Sequence, residues 1–177
     1  MKHIFISFAL VALLTSCVQQ DENVQTFSYP LSFDFDNGVT NTSSYVFRDD
    51  AHSGRVISRA DSGVNFGFSY IYAVPDSLIG RNLTLDIDAW VRTGDLNNNC
   101  ELIVSAYTGD SLLLWQGCGV KSFLKAPNQW TNIRSSVGIS PALTGNAGVK
   151  IKVLAHNVDA KSFFDVDDLN INLREEL

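Results

Sequence analysis

Leu83-Thr84-Leu85-Asp86-Ile87-Asp88-Ala89-Trp90-Val91-Arg92 is the stretch that decides the fold. Its odd-numbered residues are all apolar, and its even-numbered ones are polar or, at Trp90, amphipathic. Side chains alternate faces along a strand, so one side of this segment lines a core and the other points outward. The same period of two recurs through the chain. Phe66, Phe68, Tyr70 and Tyr72 alternate with Gly67, Ser69 and Ile71 and read as a core face. Leu102, Val104 and Ala106 face Leu112 and Leu114 across a hairpin signal at Thr108-Gly109-Asp110. Val149, Ile151 and Val153 alternate with Lys150 and Lys152, and Leu169, Ile171 and Leu173 with Asn170 and Asn172. No segment of helical length keeps the 3.6-residue period, and Gly, Asn, Asp and Ser punctuate the whole chain. Many short strands joined by turns predict an all-β, antiparallel sandwich.

The N-terminus is of another kind. Lys2 precedes an apolar run, Ile4 to Leu14, too short to span a bilayer. It ends in Leu14-Thr15-Ser16-Cys17, which resembles the lipobox of bacterial lipoproteins. That resemblance implies cleavage before Cys17, acylation of its thiol, and a lipid-anchored envelope protein. Residues 1–16 are then the signal peptide, and 17–26 the lipidated cysteine with a polar tether. The remaining residues, 27–177, form one domain. Asp21 and Glu22 in the tether resemble an acidic signal for surface export, which points to the outer membrane with the periplasmic and exterior faces both open.

Loss of Lys2 leaves 12 basic and 19 acidic residues, a formal charge of −7 against −6 for the full chain. An acidic surface without Lys/Arg clusters excludes nucleic acid as a partner, because phosphates demand a basic face. It also leaves the lipid anchor as the sole predicted link to the membrane. With Cys17 acylated, two cysteines remain, Cys100 and Cys118. If the hairpin turn centres on Gly109, facing residues sum to 218 and the two cysteines oppose each other, where a disulfide fits. A two-residue Gly109-Asp110 turn shifts the register and leaves two reduced thiols instead.

The order of features along the mature chain resembles the galactose-binding-like jelly roll of several carbohydrate-binding modules. The residues that carry the resemblance are Phe33-Asp34-Phe35-Asp36-Asn37-Gly38, Ala51-His52-Ser53-Gly54-Arg55-Val56, the strand Leu83–Arg92, Gln129-Trp130-Thr131 and Phe164-Asp165-Val166-Asp167-Asp168-Leu169. It implies a structural Ca²⁺ held by Asp34 or Asp36, a carbonyl near Ser53–Arg55, and Asp167 or Asp168. The other reading of Asp167-Asp168 is a bulge whose acids accept local backbone donors. It also implies a packing role for Trp130. Transition metals are excluded by His52 and His156, which lack ligand spacing.

The outward side of Leu83–Arg92 brings together Asp86, Asp88, Trp90 and Arg92. An indole can stack on the apolar face of a pyranose while charged groups bond its hydroxyls. The competing reading is a Trp90 covered by a loop and an Arg92 paired to Asp86 or Asp88. In the hairpin, Ile103, Tyr107, Leu113 and Trp115 share the side opposite the core. If both segments lie in one sheet, Trp90, Trp115 and Tyr107 make an aromatic platform. No nucleophile elbow, phosphate loop or zinc helix occurs, and Asp86 with Asp88 has the spacing of any two acids on one strand face. The expected function is non-catalytic glycan binding, with a protein-interaction or structural role in an envelope complex as the alternative.

Overall fold

The computed structural model describes residues 27–37 and 44–176. Cys17, the signal peptide and the tether lie outside the described residues.

Among the described residues, ten strands form two antiparallel sheets packed face to face. They are β1 (Ser28–Phe33), β2 (Tyr45–Phe47), β3 (Val56–Ala60), β4 (Phe66–Ala73), β5 (Leu83–Thr93), β6 (Cys100–Thr108), β7 (Ser111–Gly119), β8 (Thr131–Ile139), β9 (Lys150–Asn157) and β10 (Phe164–Glu175). Sheet A runs β2-β3-β10-β5-β8, with β1 pairing the second half of β10, and sheet B runs β4-β9-β6-β7. Six of the nine connections between these strands cross from one sheet to the other, while β1–β2, β2–β3 and the β6–β7 hairpin stay within a sheet. One short helix, α1 (Pro141–Thr144), follows β8. Pro at its first turn and Gly145 after it bound a segment too brief to show a helical period.

The odd residues of β5, Leu83 to Val91, are all buried, as the period of two demands. They pack with Leu102, Val104 and Ala106 of β6, Ile151 and Val153 of β9, and the inner side of β10. Along β10 the inward residues are Phe164 and Val166, then Leu169, Ile171 and Leu173. The phase changes at Asp167-Asp168, where the register with β5 shifts and Asp168 takes φ 44°. This is a β-bulge, which turns one strand's apolar pattern over without breaking the sheet.

Two expectations change at such irregularities. In β4, Phe68 is fully buried and Tyr70 and Tyr72 pack on the core, but Phe66 is 49 % exposed. A register shift between Phe66 and Ser69 puts Phe66 on the outer side, stacked on His156 at 4.6 Å. The expected Cys100–Cys118 disulfide is also absent. Thr108 pairs with Ser111 across a two-residue turn, and Leu113 is the extra residue of a bulge, so Cys118 faces Leu102. Cys100 and Cys118 become diagonal neighbours, about 7–8 Å apart and beyond the reach of a bridge. Both are free thiols, and burial pushes the Cys100 thiol up to about 12.

Candidate functional site

The outer side of sheet A holds the candidate site. The central strands β5 and β10 put Asp86 level with Asn172 and Asp88 level with Asn170, while β8 adds Ser136 beside Asp86 and Arg134 beside Asp88. These residues floor a groove of about 440 Å³ that reaches Pro30 and Ser32 of β1. Every member follows from the same rule: the core takes one side of each strand, and polar residues are left on the other.

The carboxylates in the groove are fixed by hydrogen bonds. Asp86 accepts from Ser136 Oγ at 2.6 Å and from Arg174 Nε at 2.8 Å. Burial raises its pKa, but Arg174 and Ser136 outweigh that and hold it below the ordinary carboxylate value. Asp88 accepts from Asn132 Nδ2 at 2.7 Å and from Arg134 Nε at 2.6 Å. Each acid thus has its own guanidinium, so the groove is rich in donors and acceptors without a net excess of charge. A general acid needs a raised pKa, and Asp86 is shifted the opposite way.

Beyond Asp88, Trp90 faces Asn132 on one side and Asp167 on the other. The His52 ring lies on its indole, with centroids 3.9 Å apart, and Trp130 meets His52 edge-on. His52 Nδ1 donates to Asp168 Oδ2 at 2.6 Å, and Ser53 Oγ donates to Asp168 Oδ1 at 2.7 Å. One face of Trp90 is therefore covered by the chain itself.

Arg92 is not a groove residue. It is 3 % exposed and donates to Asp165 at 2.9 Å and to Asp50 at 2.9 Å. Asp165 is fully buried and also takes two hydrogen bonds from Arg59. The Arg92 guanidinium lies 4.5 Å from the Trp130 ring centroid, and Trp130 Nε1 donates to the Asp50 carbonyl. Arg92 and Trp130 are parts of a buried ionic knot at the end of the sheet.

The aromatic platform does not form. Trp90 stands on the outer side of sheet A, whereas Tyr107 and Trp115 stand on the outer side of sheet B, across the whole sandwich. There Trp115 meets His156 edge-on at 6.2 Å, and Ile103 and Leu154 beneath them are buried.

The four acids expected around calcium are engaged otherwise. Asp36 Oδ1 accepts the N–H groups of Arg55 and Val56, and Gly54, at φ +53°, has no side chain because Asp36 fills that space. Asp167 Oδ2 accepts the N–H groups of His52 and Ser53, and its Oδ1 that of Asp168. Burial pushes the Asp167 carboxyl upward against those donors. Asp34 accepts from the Asn37 amide. Asp167 and Asp168 thus pin His52 and Ser53 to the bulge while Asp36 holds Arg55 and Val56 beside the end of β1, and no group of three or more acidic, His or Cys side chains converges among the described residues. As arranged, this set does not fit a calcium cage of six to eight oxygens.

No family model matches the chain, and no curated protein matches it in sequence. Solved structures do. The CBM22-1 xylan-binding domain of Paenibacillus barcinonensis Xyn10C is 13% identical, with a TM-score of 0.50 over 83% of this chain and 95% of that one. The fold is the jelly roll seen in carbohydrate-binding modules. The CBM22-2 xylan-binding domain of the same protein (16% identity, TM-score 0.49, 80% and 97% covered) is also similar. So is the K3 cleaved adhesin domain of Lys-gingipain from Porphyromonas gingivalis (17%, 0.45, 82% and 99%).

Sequence reasoning found Asp86 and Asp88 but missed Arg134, Ser136, Asn170 and Asn172. Their signal was present as the polar half of each alternating strand. What was missing was the order β10-β5-β8 that sets them side by side.

Proposed function

We propose that this protein is a non-catalytic glycan-binding domain whose ligand lies in the groove on sheet A. The observation that carries this reading is the pair of prearranged carboxylates, Asp86–Arg174 and Asp88–Arg134, flanked by the amides of Asn170 and Asn172. Fixed acceptors, guanidinium donors and amides that do both suit a neutral ligand dense in hydroxyls. The xylan-binding domain that shares the fold supports it as well. Trp90, already stacked by His52, contributes at most its uncovered surface, and Trp115 belongs to another face.

The domain is held to the bacterial envelope by acylated Cys17, in the outer membrane. Replacing Cys17 by Ser releases the protein from the membrane fraction if this is so, and leaves its distribution unchanged if not. Docking of a protein partner is the second reading, favoured by Phe66, Ile71 and Trp115, each about half exposed on the outer side of sheet B.

Calorimetric titration against a panel of xylans, galactans and glucans tests the main reading. Binding by one class, lost in Asp88→Ala and Asn170→Ala but kept in Trp115→Ala, supports it. Equal binding by all three variants removes the groove from the function.

A further inference from the structure

The outer side of sheet B holds a second depression, across the sandwich from the groove on sheet A. Its make-up follows from the register. Lys152 of β9 lies level with Ile71 of β4 and Ser105 of β6, and Ser105 with Trp115 of β7. Two residues along, Lys150 lies level with Tyr107, and Tyr107 with Leu112. Ser105 is the short residue among larger ones, so the surface sinks there. The depression measures about 350 Å³ and is lined by Ser105, Tyr107, Gly109, Asp110, Leu112 and Lys152. Trp115 reaches away from it, toward the edge-on contact with His156.

Charge sets this depression apart. Among the described residues every arginine is ion-paired, and so is Lys161. Lys150 and Lys152 have no such partner there, although both point to the outer side of β9 with their backbones about 7 Å apart. Lys121 and Lys125, the other two cations outside an ion pair, lie past the far end of β7. Two like charges side by side gain from an anion that both can reach. We infer that the depression binds an acidic polysaccharide, with its carboxylate or sulfate groups at Lys150 and Lys152. The apolar face of a sugar ring then lies on Tyr107 and Leu112, and hydroxyls bond Asp110 and Ser105. An ammonium is a point charge rather than a planar fork, so it takes either acid group. Asp110 selects a sugar over an acidic peptide, because it needs a donor in the depression and ring hydroxyls supply one beside the acid group. The net charge of −6 does not forbid this. At physiological salt the Debye length is about 8 Å, so a ligand in the depression feels the two ammonium groups ahead of more distant carboxylates. The site stands independently of the groove on sheet A.

Calorimetric titration of the full chain in detergent with polygalacturonate, dextran sulfate, neutral dextran and poly-glutamate tests this. At least one of the two acidic polysaccharides binds, and which one names the acid group. Lys150→Gln with Lys152→Gln weakens that binding roughly tenfold or more while Tm stays unchanged. Lys121→Gln with Lys125→Gln removes the same charge elsewhere and leaves the affinity as it was, as does Asp88→Ala in the groove. Leu112→Asp, at a position 61 % exposed, sets a carboxylate in the depression and also weakens binding, which keeps the test decisive should the Lys150/Lys152 variant unfold. Failure of both acidic polysaccharides to bind overturns the proposal. So does an equal loss in either control variant, or binding of poly-glutamate or neutral dextran as tight as that of the acidic polysaccharides.

Discussion

The imidazole of His52 lies flat on the indole of Trp90, centroids 3.9 Å apart and planes 16° from parallel, while Asp168 holds its Nδ1. The loop that carries His52 is thereby sealed to the sheet through a ring contact and through the bulge acids.

Removing the imidazole uncovers the indole. In His52→Ala, tryptophan emission shifts to longer wavelength and acrylamide quenching increases. Stability falls by about 1 kcal/mol, the scale of one aromatic pair. Unchanged quenching would show that the stack does not shield Trp90.

The ionic knot is more costly to open. Asp165 is fully buried between Arg59 and Arg92. Asp165→Asn leaves two guanidinium groups short of their countercharge, and the expected loss is about 3–5 kcal/mol in chemical denaturation. A loss below about 1 kcal/mol, the scale of a surface pair, would mean that solvent already screens the knot.

Strand identity was legible in the sequence, and strand adjacency was not. The alternation in Leu83–Arg92 sorts its core side from its outer side residue by residue, and the structure follows it. Which outer sides share a sheet depends on where the chain crosses over. Trp90 and Trp115 therefore ended on opposite sides of the sandwich, while Asn170 and Arg134 arrived beside Asp88. Bulges were the second obstacle. A two-residue turn and one inserted residue at Leu113 together moved Cys118 from Cys100 to Leu102, and another inserted residue in β4 turned Phe66 out of the core. Nothing in a pattern of period two fixes where such a residue falls.

The two thiols differ sharply in reach. Cys100 is buried with its pKa pushed up to about 12, whereas Cys118 is half-buried at the sheet edge. A thiol reagent applied to the folded domain labels Cys118 and leaves Cys100 until denaturant is added. A mass 2 Da below the reduced value after oxidation would instead reveal the bridge that the register disfavours.

Calcium is tested by melting. Because Asp36 and Asp167 already accept backbone N–H groups, millimolar calcium leaves Tm unchanged and EDTA does not lower it. A rise of several degrees would show that the 52–56 loop reorganises around the ion, trading N–H donors for metal ligands.

Acid sensitivity follows from Asp50. Hydrogen bonds from Arg92 and Arg48 hold its carboxyl well below the usual carboxylate range. A carboxylate depressed in the folded state adds stability above its unfolded pKa of about 3.9 and loses it as pH falls toward the folded value. The contribution is thus full at pH 7 and declines below about pH 4. Asp167 has the opposite sign, because burial raises its carboxyl and the folded state then binds that proton more tightly than the unfolded chain. Its share is present at low pH and fades as pH rises, so it partly offsets Asp50 on the acid limb. Asp50→Asn consequently lowers Tm at pH 7 and flattens the fall of Tm between pH 4 and pH 2.5. Melting the variant and the wild type across that window decides the matter: parallel curves would mean that Asp50 titrates alike in both states and that Arg92 relies on Asp165 alone.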